Sequence, residues 1–157
     1  MIKKVKITSM DLLVKLITPV IEGGKSAKFT VVGDSMYPLF RDGIDNVIVV
    51  KSENIKKRDI ILYSREDGSF VLHRIVGKAD KGYKLCGDNQ MIIEYPVKSE
   101  NIIAVVSAFE RNGKTFSVNA LWYKIYSLIW STFISQRPLI LKLSRKIKKF
   151  FRRGNPK

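Results

Sequence analysis

Val31-Val32-Gly33-Asp34-Ser35-Met36-Tyr37-Pro38-Leu39-Phe40 is the stretch on which the reading of this chain turns. A serine stands between turn-forming residues and a Met-x-Pro corner, with apolar residues on both sides. Glycine permits a tight backbone path, and proline fixes the chain beyond the serine. Such a corner holds a hydroxyl rigidly at the end of a strand. Taken alone, the stretch reads as an ordinary turn with a surface serine, a common arrangement. Stretches further along the chain change that balance.

Around this corner the chain falls into short β-type runs at 29–32, 46–50, 59–63, 70–76, 83–86, 102–109 and 115–118. Turn signals separate them: Asp42-Gly43, Glu66-Asp67-Gly68, Asp80-Lys81-Gly82, Gly87-Asp88-Asn89 and Asn112-Gly113. Short strands at this spacing, with no helical windows between them, predict a mainly β, antiparallel barrel or sandwich. Residues 8–22 read instead as a helix, capped by Thr8 or Ser9, with Asp11 in its first turn. Leu13, Ile17, Val20 and Ile21 fall on one face for packing on the core, Pro19 kinks or shortens the helix, and Gly23-Gly24 ends it. The expected organisation is one domain over 1–118, with its short helix at 8–22 and its β core at 27–118, and an aromatic then basic helical tail over 119–157.

Charge is unevenly spread. The net charge is +15, yet residues 137–157 hold nine Lys or Arg and no Asp or Glu, leaving +6 for residues 1–136. Residues 119–136 carry one charge, Lys124, and the aromatics Trp122, Tyr123, Tyr126, Trp130 and Phe133. At 18 residues this window is marginal for a bilayer span, which needs about 20 apolar residues. Beyond Arg137-Pro138, Ile140, Leu143, Ile147 and Phe150 form an apolar stripe among basic residues. That pattern is an amphipathic helical tail on an anionic membrane surface, with one C-terminal spanning segment as the alternative. A nucleic acid also attracts such charge, but the aromatics lie beside the basic run, not within it, which disfavours a stacking groove. No secretory signal opens the chain: Asp11 and Lys15 break the apolar segment after Lys3, Lys4 and Lys6.

Cys86 is the single cysteine and His73 the single histidine. An intrachain disulfide and a Cys/His metal site are therefore excluded by count, and no cofactor is expected. A serine is a weak nucleophile until a base takes its proton, and His73 is the one imidazole on offer. It lies in Phe70-Val71-Leu72-His73-Arg74-Ile75-Val76, where strand alternation puts Val71, His73 and Ile75 on one face. Taken alone it reads as a satisfied core histidine. Asp88, in Cys86-Gly87-Asp88-Asn89-Gln90, follows the next strand and is a candidate orienting carboxylate; its bland reading is an Asp-Asn turn.

Gly33-Asp34-Ser35-Met36-Tyr37-Pro38, Leu72-His73-Arg74-Ile75-Val76 and Cys86-Gly87-Asp88-Asn89, in this order, resemble the boxes of the type I signal peptidase family. That family shares its fold with the LexA-type self-cleaving repressors. The resemblance covers about residues 27–109 and implies a signal-peptidase/LexA-like β catalytic domain that cleaves a peptide or preprotein. It implies Ser35 as nucleophile, His73 as base in the branch with a Ser/His dyad, and Asp88 as the acidic residue of the G-D-N box. Met36 then lines the substrate pocket, and the Ser35 N–H serves an oxyanion hole. Gly33 stands where many bacterial members carry a serine whose hydroxyl helps that hole, so only backbone donors remain there. No Ala-Gly precedes Ser35, and Cys86-Gly87 falls after it, so repressor-type self-cleavage is not expected. The resulting picture is a serine endopeptidase on the cytoplasmic membrane face, acting on a peptide precursor. The alternative is a catalytically inactive module of the same fold that binds a membrane surface or partner.

Overall fold

A computed structural model describes residues 10–51 and 54–143. The chain opens with helix α1, Met10–Glu22, and continues through strands β1 (Ala27–Thr30), β2 (Asn46–Val50), β3 (Ile60–Ser64) and β4 (Phe70–Ala79). Strands β5 (Gly82–Cys86), β6 (Glu94–Val97), β7 (Ile102–Arg111) and β8 (Lys114–Ser117) follow, then helix α2, Leu121–Thr132. The strands form one eight-stranded sheet in the order β1-β2-β7-β3-β4-β5-β6, with β8 added to β7. Every pairing is antiparallel. The mainly β class with flanking helices is the one the sequence pattern predicts.

Burial alternates along β1 and β2, as expected for strands with one apolar face. In β3, Ile60, Ile61, Leu62 and Tyr63 are all buried. The reason is position: β3 lies between β7 and β4, with an apolar cluster on each face of the sheet. Ile60 and Leu62 join a large cluster with Phe29, Phe40, Val47, Val49 and Phe109. Ile61 and Tyr63 join a smaller one with Ile75, Leu85, Val97 and Val105. Helix α1 covers the larger cluster with Leu13, Val14, Ile17 and Ile21, while Val20 stays exposed. Pro19 sits inside α1, and the proposed caps Thr8 and Ser9 lie outside the described residues.

Two differences from the sequence reading matter for the site. Strand β1 ends at Thr30, so Val31 and Val32 already belong to the corner. Strand β6 carries Pro96 and an exposed Tyr95, features that conceal an edge strand from a pattern search.

The C-terminal segment is helical, as the sequence reading has it. Helix α2 has 12 residues and docks on the sheet domain through buried Tyr123, Ser127, Trp130 and Ser131. Among the described residues no helix is long and apolar enough to cross a membrane. The chain is helical again over 137–143; Ile147 and Phe150 of the apolar stripe lie outside the described residues.

Phe109 is 1% exposed and packs against Phe40 and Phe116 at ring-centroid distances of 5.4 and 5.3 Å. Phe109→Ala is expected to cost about 3–5 kcal/mol, read as a lowered midpoint in urea denaturation.

Candidate active site

The corner after β1 is pinned at both ends. The Val31 N–H donates to the Asp45 carbonyl (3.0 Å), and the Val31 carbonyl accepts from the Gly43 N–H (2.8 Å). Beyond the serine, Met36, Leu39 and Phe40 are buried in the larger cluster, and Tyr37 and Phe40 donate back to the Asp34 and Met36 carbonyls. Ser35 is therefore held half-buried between two anchored segments. Gly33 has φ +88°, a backbone conformation that disfavours any side chain, although the space around it is open. Its N–H donates to Asp42 Oδ1 at 2.8 Å, so this donor is engaged within the corner. Met36 and Ser35 line a cavity of about 120 Å³ with Met10, Phe29, Val31, Phe70 and Leu72.

His73 is fully buried on β4, opposite Ile61 of β3. Its Nδ1 lies 3.2 Å from the Tyr63 hydroxyl and 3.4 Å from Glu94 Oε1. Tyr63 donates its single hydroxyl proton to Glu94 Oε2 at 2.7 Å, so it faces Nδ1 as an acceptor. Nδ1 thus carries the imidazole proton and Nε2 presents a lone pair. Arg65 grips Glu94 through two hydrogen bonds, to Oε1 and Oε2. Burial opposes the Glu94 charge, but hydrogen bonds from Arg65 and Tyr63 outweigh it and hold the carboxyl below its usual range. Burial drives His73 down to about 4, against the attraction of Glu94, so the ring is neutral at pH 7.

Among the described residues, His73 Nε2 has no hydrogen-bond partner. A buried imidazole nitrogen left unpaired is costly. What faces it is Gly87. A Cβ on Gly87 would stand 3.0 Å from His73 Nε2 and 2.7 Å from the Ser35 carbonyl oxygen. The serine corner and the histidine ring therefore converge on one α-carbon, and only glycine fits between them. The Asn89 N–H donates to the same Ser35 carbonyl at 2.8 Å. No hydrogen bond joins the Ser35 hydroxyl to His73 Nε2 among the described residues; what the two share is the Gly87 position, approached by the Ser35 carbonyl and by the imidazole, while Met36 packs in the larger cluster.

The structure takes Asp88 elsewhere. Arg74 donates to Asp88 Oδ1 and Oδ2 at 2.8 and 2.7 Å, and both side chains are fully buried. The Tyr126 hydroxyl adds a bond to Oδ2 at 3.1 Å. The expected orienting contact to His73 is not made. Neighbouring residues of a strand point to opposite faces, so Asp88, on the Arg74 side, is across the sheet from the imidazole. The carboxylate on the His73 side is Glu94. Sequence reading missed it, with Tyr63, because β6 does not look like a strand. The available signal was Tyr63 itself, two residues beyond Ile61, the β3 residue that pairs with His73. No group of three or more His, Cys, Asp or Glu side chains among the described residues is placed to hold a metal ion.

The family whose model matches the chain supports a peptidase-type or LexA-like fold for this antiparallel sheet. The chain belongs to the Peptidase S24-like family, whose model matches residues 5–107. A search of curated proteins finds no match.

Arg74 is the residue whose loss exposes the ion pair's contribution. Arg74→Leu strands the Asp88 carboxylate in the interior and is expected to cost about 3–5 kcal/mol in chemical denaturation. The His73 shift sets a pH dependence. The unfolded ring binds its proton near 6.5 and the folded ring only near 4, so protons favour the unfolded chain across that window. Stability is expected to fall by about 3 kcal/mol as pH drops through it, with His73→Gln showing a smaller loss in the same denaturation series.

Proposed function

We propose that this protein is a serine endopeptidase of the signal-peptidase-like type, with Ser35 as nucleophile and His73 as base. The observation that carries this reading is the free, deprotonated His73 Nε2, buried beside the Ser35 corner with its opposite nitrogen fixed by Tyr63 and Glu94. A general base must be unprotonated before reaction, and the lowered His73 pKa with an unpaired Nε2 supports that role.

In this mechanism His73 Nε2 takes the Ser35 hydroxyl proton as Oγ attacks the scissile carbonyl carbon. The tetrahedral intermediate collapses with cleavage of the C–N bond, and the leaving amine receives the proton from the imidazolium. Water, deprotonated by His73, then attacks the acyl-serine ester and releases the carboxylate product. Glu94, through Tyr63, stabilises the transient imidazolium across the Nδ1 side. With the Gly33 N–H engaged by Asp42, the Ser35 N–H is the backbone donor assigned to the oxyanion. The apolar cavity beside Ser35 and Met36 receives a substrate side chain, which makes a peptide or preprotein with an apolar residue near the cleaved bond the substrate class. Asp88 serves the fold, by its pairing with Arg74.

The tail supports attachment to an anionic membrane, as on the cytoplasmic face. Helix α2 turns Trp122, Ile125, Leu128 and Ile129 outward, Phe133 just beyond it is also exposed, and after the buried Arg137 eight further Lys or Arg follow over 138–157. Aromatic and aliphatic residues next to such charge favour the interface of an anionic bilayer.

A fluorophosphonate probe tests the chemistry. Labelling is expected at Ser35, absent in Ser35→Ala, and slowed by about 10²–10⁴-fold in His73→Ala. Undiminished labelling of the Ser35→Ala protein removes the reading. The rate is expected to hold on the acid side until pH nears the His73 value of about 4, because the base stays neutral above it. For the tail, co-sedimentation with phosphatidylglycerol vesicles but not phosphatidylcholine vesicles is expected, weakening with salt; equal binding to both excludes the electrostatic part.

A further inference from the structure

Arg137 lies outside the family match, well beyond residue 107, yet it is 1% exposed and reaches the candidate site. Its Nη1 donates to the Gly87 carbonyl (2.7 Å), the Gln90 carbonyl (2.9 Å) and Cys86 Sγ (3.3 Å). Its Nε and Nη2 donate to the Trp130 carbonyl at 3.0 and 2.8 Å. No carboxylate pairs with it among the described residues. A buried guanidinium held by carbonyls and a thiol, with no carboxylate, pays a desolvation penalty that an ordinary surface arginine avoids. What it gains is a grip on a specific loop.

That loop, residues 86–90, is the one that spaces the catalytic groups. Gly87 stands between the Ser35 carbonyl and His73 Nε2, and the Asn89 N–H holds the Ser35 carbonyl. Helix α2 takes the remaining handle: Trp130 Nε1 donates to the Asp88 carbonyl at 2.7 Å. The carbonyls of Gly87, Asp88 and Gln90 are thus all bound by side chains from the C-terminal segment. A shift of Gly87 by a few tenths of an ångström moves the point where the Ser35 carbonyl, the Gln90 side-chain oxygen and His73 Nε2 converge, at 2.7, 2.9 and 3.0 Å from a Cβ placed there.

We propose that the C-terminal segment is a positioning element of the active site, and that Arg137 is its positioning residue, setting the Ser35–His73 geometry through loop 86–90. This rests on the peptidase reading given above. The segment that turns an apolar face outward thereby also sets the catalytic spacing.

The test is fluorophosphonate inactivation of the full chain, with the maximal rate and the half-saturating probe concentration measured separately. Arg137→Ala is expected to lower the maximal rate about tenfold or more, with half-saturation changed by less than about twofold. Millimolar guanidinium is expected to restore part of the rate, which a general loss of stability would not allow. If Arg137→Ala fails to fold, Arg137→Lys and Trp130→Phe take its place, each keeping the fold while weakening the grip. An unchanged maximal rate in a folded variant overturns the proposal. If wild type is not labelled at Ser35, the peptidase reading fails first. The clamp is then read from the His73 imidazole resonances, which are expected to shift in the Arg137 variant; unmoved resonances overturn the proposal.

Discussion

The buried ion pair between Arg74 and Asp88 is the constraint on which the arrangement depends. Removing two charges from water is costly, and the loss is recovered only when every donor and acceptor is satisfied. Here Arg74 spends its remaining Nη1 donor on the Arg58 carbonyl, Ser127 Oγ and the Tyr123 hydroxyl, while Tyr123 and Tyr126 lie against the guanidinium. Three of the side chains that complete the shell, Tyr123, Tyr126 and Ser127, belong to helix α2. The helix therefore docks where it does because an incomplete shell would leave a charge unpaired inside the protein. Burial works against the Arg74 charge, and Asp88 outweighs it, keeping the side chain cationic.

Strand β4 separates two kinds of chemistry by alternation alone. Its odd face carries His73 toward Tyr63 and Glu94, and its even face carries Arg74 toward Asp88 and α2. One face holds a neutral imidazole and the other a closed electrostatic lock. They meet again in the loop after β5, where Gly87 lies between the Ser35 carbonyl and His73 and Asp88, its neighbour, is locked to Arg74. Anchoring the loop on the Arg74 side fixes it on the His73 side, since adjacent residues share a backbone.

Much of this was legible in the chain. The strand runs and turn signals predicted the antiparallel class, and the Gly33–Pro38 corner with the His73 and G-D-N boxes pointed to the peptidase family whose model matches the chain. Alternation predicted that Val71 and Ile75 share a face, and both pack on the smaller cluster. Asp88 shows the limit. Its place in a G-D-N turn marked it as noteworthy but said nothing of which face it meets, and Arg74, in the same box as His73, was the stronger attractor. Glu94 left little trace, because a four-residue edge strand containing Pro96 lacks a periodic signal. The aromatic run at 119–136 read as a surface segment, since composition does not say which side of a 12-residue helix is covered.

The sequence by itself determined seven of the eight strands, the serine corner and the single available imidazole, because period, turn chemistry and residue count are local properties. Only the tertiary structure decided which carboxylate serves the histidine and which serves the arginine. It also decided that Arg137 would be buried against a loop some 50 positions earlier in the chain. The physical reason is the same for each. A charged group's role is set by what lies within hydrogen-bond reach once water is excluded, and that neighbourhood is assembled from segments far apart in the chain.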